Sequence, residues 1–233
     1  MLSEHDRGRL VGGLTFLQLG GLIVPFVLLL PIVTLPGAYL ADAAASSARI
    51  RAGVLLLVVN GAVTIGISIA AWPTLRRTSE ALALWLVVLG ALMLGVQVVD
   101  NIHILSMLSL SQAHAAAGAS ADSLREVATA IGTTRQWAHL SGLLVIDAWI
   151  LVFYLSLIRA GALPRLLSAF GLLTVAAHFV AIPLPAILGL RSLAEAGMPM
   201  ALSHVATAGW LVAKGFGPRS SATDSRPVDP GGR

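Results

Sequence analysis

VLLLVVNGAVTIGISIAAWPTLRR, residues 54–77, decides the fold class. From Val54 to Trp72 the run carries no charge, and Trp72-Pro73 with Arg76 and Arg77 closes it. About 20 apolar residues in a helix cross the hydrocarbon of a bilayer, and a helix satisfies its own backbone hydrogen bonds there. An interfacial Trp with arginines beyond it is the boundary pattern of such a span.

Working outward from this run, comparable blocks recur along the chain. The expected spans cover residues 10–33, 54–72, 81–110, 134–158, 166–190 and 196–213. The 233 residues are 57% hydrophobic and 11% charged, with mean hydropathy +0.87. Soluble domains carry roughly 25% charged residues, so this chain lacks the polar surface a water-facing fold needs. Long apolar blocks also argue against a transmembrane barrel, whose strands alternate residue by residue. The expectation is an all-α integral membrane bundle of about six transmembrane helices, one domain over residues 1–214. The tail 215–233, rich in Gly, Pro, Ser and charge, is expected to be disordered and cytoplasmic.

Several local features refine this outline. The first block exceeds the h-region of a signal peptide, and Ser3–Arg9 mixes both charges, so it reads as a membrane helix. Pro25 is expected to kink it, and Pro183 and Pro185 to interrupt the fifth span. Residues 36–51 and 111–135 read as polar connections, the second with a short interfacial helix near residues 121–130. Basic residues set the orientation. With the N-terminus inside, Arg7, Arg9, Arg76, Arg77, Arg159, Arg165, Lys214, Arg219, Arg226 and Arg233 are cytoplasmic. Arg49, Arg51, Arg125, Arg135 and Arg191 are then outside. The excess favours N-in, C-in, in the plasma membrane.

Composition excludes several chemistries. No cysteine is present, which removes disulfides, thiolate metal sites, iron–sulfur ligation and a cysteine nucleophile. The net charge of +4 belongs to helix ends, so it reads as topology and headgroup contact rather than nucleic-acid binding. No phosphate loop of the GxxxxGK[ST] form and no HExxH occurs. Lys214 is the only lysine and lies at a boundary, which excludes a retinal Schiff base, and no span carries an arginine series of the voltage-sensor kind. Gly61, Gly66, Gly90 and Gly95 read as close-packing positions between helices. No internal similarity relates residues 1–110 to 111–214, as an inverted-repeat transporter would show.

The informative residues are ionisable ones inside the spans, where each is costly and takes a partner or a cavity. They are Asp100 and His103 in span three, His139 and Asp147 in span four, His178 in span five and His204 in span six. At 1.5 Å per residue, the four histidines fall at similar depth, roughly 10 Å below the outer ends of their helices. Asp100 lies one turn below His103 on the same face. Imidazole and carboxylate together suit haem b held between two histidines, or a Cu, Zn or Fe ion. Asp100, His103, His139, His178 and His204 are therefore the candidate ligand set. The plainer role is interhelical hydrogen bonding, worth about 0.6–2 kcal/mol per group. Asp147, deeper on the His139 face, is a candidate proton relay with Asp100. Its expected partners are Asp100, Gln97, Asn60 or a serine. His5 and His114 read as solvated.

Three segments carry a resemblance. They are Leu108-Ser109-Leu110-Ser111-Gln112; Phe153–Arg159 with Leu163–Leu173; and Trp210-Leu211-Val212-Ala213-Lys214-Gly215-Phe216-Gly217-Pro218. In this order they resemble the bacterial multi-pass membrane family called domain of unknown function 4386, over roughly residues 9–218. The resemblance implies a multi-helix membrane bundle without an established activity. Members tend to carry an Arg/Glu pair in the third span and His-Asp-Trp before the fourth. This chain has Gly90-Ala91 and Arg135-Gln136-Trp137 there, so only Trp137 matches and no family site carries over.

Three functions stay open: a redox, sensing or metal-handling protein built on the His/Asp cluster; a non-catalytic scaffold, partner subunit or lipid-binding protein; and a small-solute transporter. Membrane lipids are the expected partners, with a second copy or another membrane protein as candidates.

Overall fold

The computed structural model describes residues 2–33, 38–117, 122–193 and 197–216. Among the described residues all regular structure is helical: α1 (Glu4–Val33), α2 (Tyr39–Asp42), α3 (Ser47–Leu75), α4 (Glu80–Ala117), α5 (Asp122–Arg159), α6 (Arg165–Ala181), α7 (Pro183–Ile187) and α8 (Gly197–Lys214). Among the described residues five helical segments are long and apolar enough to cross a membrane: Glu4–Leu30, Ala44–Leu75, Glu80–Ala116, Leu124–Arg159 and Arg165–Ile187. The expected sixth, α8, is not among them. Its 18 residues include Ser203, His204, Thr207 and Lys214, which lower its hydropathy. The protein is a multi-pass membrane bundle of helices.

The two polar connections turn out to be largely helical. Residues 38–51 hold α2, a 3-10 turn at Ala44–Ser46 and the start of α3. Ser111 on α4 fastens this segment, donating to the Leu40 carbonyl and accepting from the Ala44 amide, both at 2.9 Å. Tyr39 is buried and donates to the Ala128 carbonyl at 3.1 Å. Burial pushes its hydroxyl up to about 12, so it stays a donor. Residues 111–117 and 122–135 are likewise the adjoining ends of α4 and α5, two long helices running side by side. Residues 122–130 include Leu124, Arg125, Glu126, Ala128 and Ala130, strong helix formers, and extend α5 far beyond its apolar block. Helix α1 runs through Pro25 without a break. The fifth block does break: Ile182 leaves helical geometry at φ −120°, and Pro183 begins α7.

Neighbours follow one another antiparallel round a ring, α1–α3–α4–α5–α6–α8 and back to α1. Two apolar cores fill it. One gathers Val11, Ile67, Leu86, Trp149, Phe153, Tyr154, Leu211 and Phe216 at the end where the first and last helices meet. The other gathers Leu29, Ile32, Tyr39, Ile50, Ile104, Leu108 and Ala128 at the opposite end. Between them lie buried polar side chains, including Gln18, Asn60, Thr64, Ser68, Asp100 and Asp147.

The ring closes through glycines. A Cβ on Gly8 would stand 2.0 Å from the Phe216 amide nitrogen, and one on Gly12 would stand 2.7 Å from the Ala208 carbonyl oxygen. This Gly-xxx-Gly face lets α1 and the end of α8 approach backbone to backbone. Gly215, at φ +62°, turns the chain out of α8 so that Phe216 is buried. Arg9 donates to the Val212 carbonyl, and Nδ1 of His5 to that of Lys214, both at 3.1 Å. Of the glycines expected to mark close packing, Gly61 meets Leu94 and Gly90 meets Ser68, whereas Gly95 has nothing within 4 Å.

Candidate functional site

The geometry assembles the ionisable residues differently from a single four-histidine site. Asp100, buried on α4, accepts from Nε of Arg135 on α5 at 3.0 Å. Its other oxygen lies 3.5 Å from Nδ1 of His139, one turn further along α5. Arg135 is itself buried, so the residue expected in an outer loop is the counter-ion of a membrane carboxylate. A buried Asp draws an arginine because an unpaired charge in low dielectric is far costlier than a pair. The signal was present in the sequence: an aspartate in one long block and an arginine at the near end of the next, antiparallel block.

His178 on α6 reaches Asp147 instead. Its Nδ1 lies 2.7 Å from Oδ1, and both residues are about 5% exposed. Neither contact partner meets hydrogen-bond geometry, and both carboxylate oxygens of Asp147 otherwise lack a donor. None of the partners expected for Asp147 is the one it has. Ser68 accepts from Trp149 at 3.1 Å, while Oδ1 of Asn60 lies against Gly21 with no hydrogen-bond partner among the described residues. Gln97 donates to Asn101 at 3.1 Å.

His103 turns back onto its own helix, with Nδ1 2.8 Å from the Val99 carbonyl. His204 on α8 does the same with the Met200 carbonyl at 3.1 Å, and its ring stands edge-on to Tyr154. The Tyr154 hydroxyl in turn meets Ser203 and Thr207 at 3.1 and 3.2 Å. Nε2 of His204 is buried with no partner. The ligand set Asp100, His103, His139, His178 and His204 is thus dispersed into an Asp100–Arg135–His139 cluster, an Asp147–His178 pair and two histidines on their own carbonyls. Eight residues of α5 separate His139 from Asp147, about 12 Å along the axis. Among the described residues no group of three or more His, Cys, Asp or Glu comes together in a metal-binding arrangement. The physical reason is helical phase: equal depth fixes the level of a side chain but not the direction in which it points.

The first cluster has a cavity beside it. A cleft of about 610 Å³ lies between α1 and α5, walled by Leu22, Ile23, Phe26, Leu29, Val33 and Leu57. Gln97, Asp100, Arg135, Gln136 and His139 form its polar end. Ile23 and Phe26 are 66% and 63% exposed, so the cleft opens sideways past α1. A smaller chamber of about 110 Å³ lies deeper, among Gln18, Leu19, Leu22, Trp149, Met200 and His204. Leu22 lines both.

Residues 11–215 match the family described as domain of unknown function (DUF4386). The chain belongs to this family. No curated protein and no solved structure matches it. In this DUF4386 member the segments that carry the family resemblance hold the bundle together. Phe153 and Tyr154 sit in the first core, Gly171 lets the Tyr154 ring pass where a Cβ would stand 2.1 Å from it, and Trp210 donates to the Ala162 carbonyl at 3.1 Å. Gly215 and Phe216 make the terminal closure. The polar cluster lies apart from these segments.

Proposed function

We propose that this protein binds an amphipathic lipid-like molecule in the cleft between α1 and α5, as a membrane-embedded receptor or carrier rather than a metal enzyme. The observation that carries the reading is the cleft itself. Its volume falls within the roughly 300–1,000 Å³ of small-molecule sites, with apolar walls and a few convergent polar groups. The lateral opening suits entry from the bilayer. The polar end also selects chemistry. Both oxygens of Asp100 face Arg135 and His139, while the terminal amino groups of Arg135, the outer edge of His139 and the Gln136 amide supply donors. Donors in excess suit a headgroup of acceptors, a carboxylate or phosphate.

The test is extraction of lipid from protein purified in mild detergent, compared with Leu57→Trp, which fills the cleft. Wild type is expected to carry about one acid-headed lipid per chain and the variant much less. Equal, non-stoichiometric lipid in both would overturn the proposal.

The same reading places six crossings in the plasma membrane with both ends inside. Helix α8 runs antiparallel to α1 and α6 and completes the ring, which supports counting it as a crossing despite its polarity. Among the described residues Arg7, Arg9, Arg76, Arg77, Arg159, Arg165 and Lys214 share one end, against Arg49, Arg51, Arg125 and Arg191 at the other once Arg135 is paired inside. Arg219, Arg226 and Arg233, and the tail expected to be disordered, lie outside the described residues from 217 onward. The absence of cysteine makes the chain a ready background for labelling. A membrane-impermeant thiol reagent applied to intact cells is expected to modify Leu190→Cys and spare Glu80→Cys. The reverse pattern would invert the topology.

A further inference from the structure

We infer that the ligand runs past Leu22 into the inner chamber and ends there in a hydroxyl group, so that it is an amphiphile with an acceptor head and a hydrogen-bond donor at its far end. This rests on the cleft being a lipid site, and it adds the chemistry of the ligand's other terminus.

The argument turns on His204. Its Nδ1 lies 3.1 Å from the Met200 carbonyl, which can only accept, so Nδ1 carries the hydrogen. A neutral ring then presents Nε2 as a lone pair, an acceptor. Among the described residues that atom is buried without a partner, in a residue 5% exposed, and His204 lines the chamber. An unmet acceptor in an apolar setting is costly, and a donor placed there recovers that cost. Gln18 also lines the chamber, and one of its two amide hydrogens is donated to Thr64 at 2.6 Å. The remaining wall, Leu19, Leu22, Trp149, Ile150, Met200 and Ala201, is apolar and suits a hydrocarbon chain.

The two polar ends are also separated by a chain's length. His139 at the cleft's head and Trp149 in the chamber are ten residues apart on α5, about 15 Å at 1.5 Å per residue. Leu22 stands between, as the one residue common to both spaces. A ligand reaching from one space to the other must pass this side chain, which a linear chain does more readily than a ring system.

Binding of three matched probes to the delipidated full-length protein tests this: lauric acid, its ω-hydroxy derivative and its ω-methoxy derivative. The ω-hydroxy acid is expected to bind about five- to tenfold more tightly than lauric acid, the gain of one buried hydrogen bond. The ω-methoxy acid, which accepts but cannot donate, is expected to show no gain. In His204→Leu the two acids should bind alike. Equal binding of all three probes to wild type overturns the hydroxyl terminus while leaving the lipid cleft standing. A gain with the methoxy probe equal to that with the hydroxyl also overturns it. Failure of every probe to bind overturns both readings.

Discussion

Arg135→Gln is expected to lower the stability of the purified protein by about 3–5 kcal/mol, the cost of leaving one member of a buried ion pair unmatched. The substitution leaves Asp100 buried, with only a half-exposed His139 near its second oxygen and no donor on its first. The pair as a whole is worth much less than that. Asp100→Asn combined with Arg135→Gln removes both charges and keeps groups able to hydrogen-bond, so most of the loss should be recovered. Thermal unfolding in one detergent, followed by helical circular dichroism, distinguishes the cases. A double variant no more stable than Arg135→Gln would mean that Arg135 acts through packing rather than charge. The single variant should also lose an acid-headed ligand, because its donors form the head of the cleft.

Gly8→Ala is expected to be the most damaging single-methyl change in α1. The new carbon would stand 2.0 Å from the Phe216 nitrogen and 2.3 Å from the Gly215 carbonyl carbon, and both obstacles are backbone. No rotamer change relieves such a clash, so α1 and the end of α8 must part, at a cost of about 3 kcal/mol, the upper range for overpacking. Gly13, five residues on, has nothing within 4 Å of its Cβ position. Gly13→Ala should therefore be neutral or stabilising by up to about 1 kcal/mol, through helix propensity alone. The same unfolding measurement reads both. Equal effects of the two substitutions would refute the proposed closure.

Much of the fold was legible in the sequence, and less of the site. Val54–Arg77 announced a membrane helix because length, lack of charge and the Trp-Arg boundary agree. Pro183 marked a true break because it can neither donate nor tolerate the preceding turn. Helix limits were harder. The apolar block beginning near Thr134 concealed the earlier start of α5, since residues 122–133 mix polar side chains with helix formers such as Leu124, Glu126, Ala128 and Ala130, a propensity that hydropathy does not register. That shift moved Arg135 from a loop into the interior and hid the partner of Asp100. Conversely, α8 looked like a span by position, although its own composition falls short of the other five. The cost of burying Asp100, Asp147 and the histidines was readable from residue type. Which of them meet was not, because pairings such as Asp147 with His178 depend on the rotation of two helices about their axes. The cleft was invisible in principle: Leu22, Phe26 and Leu57 are ordinary apolar residues until three helices fail to fill the space between them.

The seam between Gly8 and Phe216 has a bearing on biogenesis. Translation delivers α8 well after α1, yet each is a principal neighbour of the other. Throughout elongation the small-residue edge of α1 must remain unoccupied in the bilayer, available to any passing helix. A chain halted before Val212 would keep that edge bare for good. Such a fragment would be sticky toward other membrane proteins and open to quality-control proteolysis, so the emergence of α8 is itself the step that seals this seam.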